Sequence, residues 1–202
     1  MAVCRKILLA VVLFLIPVLS AQVTALETNG EGDVLRDGDG NVYKTVKIGK
    51  QVWMAQNLNV KTSDSWCYDD EESNCKKYGR LYSWSAAKKA CPAGWHLPSK
   101  SEFETLFGTV GGKSKAGKML KSKTGWNSSG NGTDAYSFAA LPAGYRGDNE
   151  SSYAEGNNAF FWSSTENGGE DAYNLDFSYS DGKAGLAGND KILGLSVRCV
   201  KD

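Results

Sequence analysis

Apolar and polar side chains alternate along the two ends of this chain and recur at helical spacing in its middle. Val42, Lys44, Val46 and Ile48 alternate with Tyr43, Thr45 and Lys47, which predicts a strand with one side more apolar. Gly49-Lys50 turns the chain, and Gln51-Val52-Trp53-Met54 returns as a second strand with Trp53 and Met54 in the core. From Leu81 the period changes. Leu81, Trp84, Ala87 and Cys91 fall on one helical stripe, and Cys91-Pro92 ends that helix because proline disfavours helical geometry at the residue before it. After a Gly-Trp-His-Leu-Pro corner a second helix starts at Ser99, with Ser99 and Glu102 as a capping box and Ser101 with Glu104 as the competing cap. Phe103, Leu106, Phe107 and Val110 form its apolar face. Residues 113–123 read as a solvated helical turn or loop. Residues 136–140 and Phe160-Phe161-Trp162 have strand composition. Tyr173, Leu175, Phe177 and Tyr179 alternate with Asn174, Asp176, Ser178 and Ser180, the pattern of an antiparallel strand with one wet side. Asp181-Gly182 then marks a hairpin, residues 183–187 pair back, and Asn189-Asp190 turns again. Leu193, Leu195, Val197 and Cys199 make the inner face of a last strand. The polar stretches 62–74, 124–134 and 148–158 read as long loops. The fold class is α+β, two short helices on a twisted antiparallel sheet.

The beginning of the chain differs from this domain. Arg5 and Lys6 precede an apolar run from Ile7 to Leu19, and small residues follow at Leu19-Ser20-Ala21 and Val23-Thr24-Ala25. This predicts a secretory signal over residues 1–25, since a run of about 13 residues is short of the roughly 20 that span a bilayer. Residues 26–38 then form a flexible lead-in, and residues 39–202 one domain. No transmembrane segment remains after signal cleavage. Without Arg5 and Lys6 the chain has 21 basic side chains against 23 acidic ones, which leaves no basic excess to recruit nucleic acid. Export also changes the meaning of the cysteines. Cys67, Cys75, Cys91 and Cys199 remain after cleavage, an even number that permits three pairings. Cys67 and Cys75 bracket a polar loop in need of a staple, while Cys91 and Cys199 lie on inward faces, so Cys67–Cys75 and Cys91–Cys199 are the expected bridges. A zinc site is disfavoured because His96 is the sole histidine and the Cys67-to-Cys75 spacing is too wide for a metal knuckle. Asp37-Gly38-Asp39-Gly40-Asn41 has the alternating carboxylates of a calcium loop. Val42 stands where such a loop needs glycine, and no glutamate occupies its twelfth position, so a tight turn into the first strand is expected.

Six blocks carry a family resemblance. They are residues 39–49, Gln51-Val52-Trp53-Met54-Ala55-Gln56-Asn57-Leu58, Tyr78-Gly79-Arg80-Leu81-Tyr82-Ser83-Trp84, the stretch from Cys91 to Ser99, Phe161-Trp162-Ser163-Ser164-Thr165 and Ser196-Val197-Arg198-Cys199-Val200. In this order they resemble the Fibrobacter succinogenes major paralogous domain family. The resemblance implies a secreted or surface-associated bacterial domain. A more distant similarity, to the C-type lectin-like fold, implies a tryptophan-bearing helix that ends in a cysteine bridged to the last strand. Sugar-binding C-type lectins hold calcium with a proline-containing Glu-Pro-Asn type loop. Here Glu155-Gly156-Asn157-Asn158 stands in the comparable region, so calcium-dependent sugar binding is not expected. Formylglycine-generating enzymes share a related scaffold but need a reactive cysteine pair, whereas Cys91 and Cys199 read as structural.

The remaining chemistry is sparse. His96 sits in a packed corner and reads as a loop-holding residue. No nucleophile elbow, histidine cluster or phosphate loop occurs. Asp148, Glu150, Glu155, Glu166 and Asp171 could supply a glycosidase-like carboxylate pair. The sharper expectation is a non-enzymatic binding module in which Trp126, Tyr145, Tyr153 and Trp162 stack on a surface polysaccharide or protein while Asp148, Asn157 and Asn158 hydrogen-bond it. A purely structural surface domain is the alternative. No catalytic residue, metal or cofactor is expected. An exposed co-planar row of these rings would favour binding; buried rings would favour structure.

Overall fold

The computed structural model describes residues 34–202; the expected signal lies outside them. In chain order the elements are β1 (Val34–Arg36), β2 (Val42–Ile48), β3 (Gln51–Met54), β4 (Ser65–Trp66), a 3-10 turn (Tyr68–Asp70), α1 (Glu72–Tyr78), β5 (Leu81–Tyr82), α2 (Trp84–Ala90), β6 (Trp95–His96), α3 (Lys100–Thr109) and α4 (Lys113–Leu120). Seven strands follow: β7 (Ala143–Arg146), β8 (Ser152–Glu155), β9 (Asn158–Glu166), β10 (Asp171–Ser178), β11 (Ala184–Asp190), β12 (Leu195–Ser196) and β13 (Val200–Lys201). The class is α+β, as the pattern predicts. One antiparallel sheet has the order β1-β2-β3-β13-β6. The second runs β11-β10-β9-β12-β5-β4, with β7 paired to both β8 and β9. It is mixed rather than purely antiparallel, because β12 and β7 each run parallel to β9. Strand β1 lies inside the expected lead-in, where Val34, Leu35 and Arg36 pair with Lys44, Tyr43 and Val42.

Two apolar clusters fill the interior. One gathers Ile48, Trp53, Phe103, Leu106, Phe107, Phe138, Phe161 and Phe177. The other gathers Tyr43, Met54, Leu58, Tyr82, Trp84, Trp162, Leu195, Val197 and Cys199. Because β2 touches both, Tyr43 and Thr45 are buried on one face and Ile48 on the other, while Val42 is exposed. Its simple alternation therefore breaks. The same occurs in β10, where the register shifts between Ala172 and Asn174. That irregularity brings Asn174 inside, its amide donating to the Ala187 carbonyl at 3.0 Å, and leaves Tyr173 half-buried under the Lys100 ammonium at 4.2 Å.

The helices follow their local chemistry closely. Helix α2 starts at Trp84, not Leu81, because the Ser83 hydroxyl caps the Ala86 amide while Leu81 and Tyr82 pair with β4 and β12. Helix α3 has the Ser99/Glu102 capping box in full. Residues 113–120 are a regular helix with Ala116, Gly117 and Leu120 buried. Gly117 is required there, since a Cβ would lie 2.1 Å from the Lys183 carbonyl oxygen. Helix α1 starts in the last residues of the stretch expected to be loop and runs past it, burying Cys75 and Tyr78. The expected strand at 136–140 is an irregular segment instead. Ser137 and Ala139 have positive φ, which drives Phe138 into the core. Of the expected 148–158 loop, residues 152–155 form β8 and Asn158 opens β9. Asn189 and Asp190 belong to β11, so the chain turns two residues later, at Lys191-Ile192.

Both expected disulfides are formed, Cys67–Cys75 across 8 residues and Cys91–Cys199 across 108. Among the described residues no helix is long and apolar enough to cross a membrane.

Candidate functional site

The residues that reach solvent together stand on the β7–β8 hairpin, where Tyr145 opposes Tyr153. Gly144 has φ 64°, and a Cβ on it would lie 2.0 Å from the Tyr153 carbonyl oxygen, so this strand position accepts only glycine. Ala154 also has φ 64°, an uncommon conformation for a residue with a Cβ. This kinked pairing sets the Tyr145 and Tyr153 rings 5.4 Å apart at 29°. Phe160 meets Tyr145 edge-on at 5.7 Å. Tyr153 is outermost and 40% exposed. The Asn149 amide donates to its hydroxyl at 2.7 Å, which fixes the ring, and Asp148, Asn149 and Glu150 are exposed beside it.

Four polar contacts brace this hairpin against the disulfide-stapled segment. The Asp69 amide donates to Ser152 Oγ at 2.9 Å, and Arg146 Nη1 lies 3.1 Å from both Asp70 oxygens. Glu155 accepts from the Tyr78 hydroxyl at 2.6 Å and from Lys77 at 3.2 Å. The Tyr78 bond, helped by Lys77, outweighs burial and holds the Glu155 carboxyl below its usual range. A general acid needs the opposite shift. Glu166 is exposed and pairs with Lys191 at 3.4 Å.

The other expected ligand residues sit elsewhere. Trp162 is 0% exposed, its indole donating to the Tyr82 carbonyl at 2.7 Å. Trp126 is 5% exposed and donates to Ser122 Oγ and the Ala140 carbonyl. Neither ring faces a ligand; both complete the core. Asn157 accepts from the Asn127 amide at 3.1 Å, and Asn158 donates toward the Phe177 carbonyl at 3.5 Å, so these amides hold loops. Tyr145, Tyr153 and Asp148 remain together.

A groove of about 450 Å³ was not legible in the sequence. Asp64, Trp66, Ser83, Trp84, Ser85, Lys191 and Ile192 line it. Trp84 is a wall rather than a platform, with Lys88 and Lys191 ammoniums 4.0 and 4.8 Å from its ring and its indole donating to Ser163. Trp66 is half-buried, with Arg146 5.1 Å from its ring. The one sequence hint is Ile192, an aliphatic residue after the polar Asn189-Asp190-Lys191 run, and it is 59% exposed.

Asp37 accepts from the amides of Asp39 and Asn41, the Asn41 side chain and the Tyr43 hydroxyl, so its oxygens are spent on a turn. Among the described residues the only group of three potential ligands is Cys67, Glu72 and Cys75, whose sulfurs are bonded to each other. His96 has both ring nitrogens engaged, Nδ1 with Asp202 at 2.6 Å and Nε2 with Glu102 at 2.8 Å. Burial lowers its pKa, but these two bonds prevail and raise it.

The fold and sites define a disulfide-bridged α+β domain with an aromatic hairpin and an open groove beside Trp84. The family model described as the Fibrobacter succinogenes major domain matches residues 46–201, most of the chain, and the chain belongs to that family. No curated protein and no solved structure matches it.

Proposed function

We propose that this domain is a non-enzymatic recognition module of C-type lectin-like design, working outside the cytoplasm, in which the open ring face of Tyr153 meets a surface polysaccharide or a protein. The observation that carries this reading is the Tyr145–Tyr153 stack, with its outer ring fixed by Asn149 and 40% exposed. A rigid ring beside exposed Asp148 and Glu150 offers an apolar face with polar groups at its edge, the combination that suits a sugar ring or a planar peptide group. Export is supported by the basic and apolar pattern of residues 1–25 and by two disulfides. The lectin-like design is supported by the bridge from the end of α2 to Cys199. A non-enzymatic role is supported by a Glu155 kept ionised and a His96 pinned at both nitrogens.

A glycan and polysaccharide screen on the mature protein, with and without calcium, tests the reading. Weak, calcium-independent binding is expected. Tyr153→Ala should weaken it about fivefold or more, since a stacked ring contributes on the order of 1 kcal/mol, while the lost Tyr145 stack lowers the melting temperature by only a few degrees. Equal binding by the variant would remove this face from consideration. A structural surface domain is the second reading, favoured by the burial of Trp126 and Trp162, and it stands if the screen retains no ligand.

A further inference from the structure

We infer that Cys67–Cys75 is a thiol–disulfide exchange site whose reaction partner is a small thiol or the dithiol of an oxidoreductase, with Arg80 placed to receive the departing thiolate. Arg80 is buried and makes no ion pair among the described residues. Its Nε and Nη2 donate to Ser65 Oγ and the Ser65 carbonyl at 3.0 and 2.8 Å. Its Nη1 is aimed at the bridge, 3.4 Å from Cys75 Sγ and 3.7 Å from Cys67 Sγ. This guanidinium faces a neutral disulfide, and among the described residues no carboxylate lies within ion-pair distance of it; the nearby Glu72 sits on the Cys67 side of the bridge. Reduction supplies a counter-charge, because a thiolate at Cys75 pairs with it, and a cation beside a sulfur favours the thiolate and makes that sulfur the better leaving group.

The two sulfurs are not equivalent. Glu72 Oε2 lies 3.7 Å from Cys67 Sγ, a position suited to accept a hydrogen bond from a Cys67 thiol and to keep that sulfur protonated. Access is thin-walled, since residues 69–73 are all exposed and Asp69 and Asp70 hold consecutive positive φ angles of 53° and 56°, which lowers the cost of local opening. The step balances as follows. An incoming thiolate attacks Cys67 Sγ, the Sγ–Sγ bond breaks, and its electron pair leaves on Cys75 Sγ beside Arg80. A second thiolate attacks the outer sulfur of the mixed disulfide, releases Cys67, which takes a proton from solvent, and departs as the oxidised reagent. Cys91–Cys199 differs, since Cys199 is enclosed with Met54, Leu195 and Val197. The exchange site goes beyond the recognition reading and does not depend on it, as none of its readouts is ligand binding.

The oxidised protein is equilibrated with glutathione at graded reduced-to-oxidised ratios, free thiols are trapped by alkylation, and peptides are mapped. Cys67 and Cys75 should become free together while Cys91–Cys199 stays linked and the fold persists. Arg80→Met should require about a tenfold higher reduced-to-oxidised ratio, the scale of one charge-assisted contact. In the unaltered, half-reduced protein Cys75 should show thiolate ultraviolet absorbance at neutral pH and alkylate faster than Cys67. That last measurement needs no variant, so it stands if Arg80→Met fails to fold. Simultaneous reduction of both bridges with unfolding, equal alkylation of the two cysteines, or an unchanged ratio in a folded Arg80→Met would overturn the inference.

Discussion

Arg198 takes a positive charge to a fully enclosed position where, among the described residues, it has no ion-pair partner and only the more distant Asp134 carboxylate acts on it. Its guanidinium donates to Asn57 Oδ1 and to the carbonyls of Met54, Phe138 and Ala139, and lies 4.5 Å from the Phe138 ring. Burial pulls its pKa down to about 9, which still leaves it charged at neutral pH. The carbonyls it holds belong partly to the irregular segment at 137–139, so this side chain fixes backbone that neither sheet reaches. Lys121 works the same way, donating to the Ser178 and Asp181 carbonyls at 2.7 Å each. Arg198→Met keeps the apolar bulk but leaves at least three carbonyls unpaired. A loss of about 3 kcal/mol or more is expected. In a thermal melt that is a drop of roughly 10 °C. A change below about 1 kcal/mol would mean that water replaces the guanidinium. Neither buried cation was legible: Arg198 alternates with Val197 and Cys199 and reads as facing out of one last strand, yet residues 197–199 are a buried link between the short strands β12 and β13, covered on every side.

Among elements, the corner from β6 into α3 shows how far local chemistry determines structure. Glu102 completes the capping box by accepting from the Ser99 amide at 2.7 Å, and its second oxygen meets His96, which also reaches Asp202. Burial raises the Glu102 pKa, but the Ser99 and His96 bonds outweigh it and the net shift is downward. The signs give a window. His96 has a folded pKa above 6.5, so its contribution is complete below that pH and is lost as pH rises through the folded value. Glu102, lowered from 4.5, contributes above that pH and is lost as pH falls through its folded value. The corner is therefore strongest between pH 4.5 and 6.5. Melting curves across pH 4–9 should show His96→Gln losing most in that window and converging on the unaltered protein at alkaline pH; a constant offset would contradict the assignment. The capping box was legible because it is written in four consecutive residues. Helix α1 was not, since it starts in a polar stretch and its buried side consists of Cys75 and Tyr78 alone. The β7–β8 hairpin was hidden likewise by its polar tip, and of the seven expected ligand residues only Tyr145, Tyr153 and Asp148 share it.

Across the whole molecule the two bridges do unequal work. Cys91–Cys199 closes 108 residues and ties the end of α2 to the segment between β12 and β13. Chain entropy predicts a contribution of about 4.7 kcal/mol for a loop near that length and about 2.5 kcal/mol for the 8-residue loop of Cys67–Cys75. The Cys91→Ala/Cys199→Ala double variant should therefore melt well below Cys67→Ala/Cys75→Ala, and the reverse order would contradict the packing described for Cys199. The fold class and both pairings were legible, because inward stripes and loop brackets are local patterns. Sheet membership was not, since pairing between residues a hundred positions apart leaves no local mark. Here β13 sits between β3 and β6, and β12 between β9 and β5. Residues 195–201 are thus the central seam of both sheets, although they come near the end of the sequence. Without them β6 has no neighbour and the second sheet is two unjoined pieces. A chain cut before Leu195 loses the joints of both sheets at once, and should lay bare strand edges that proteases can reach.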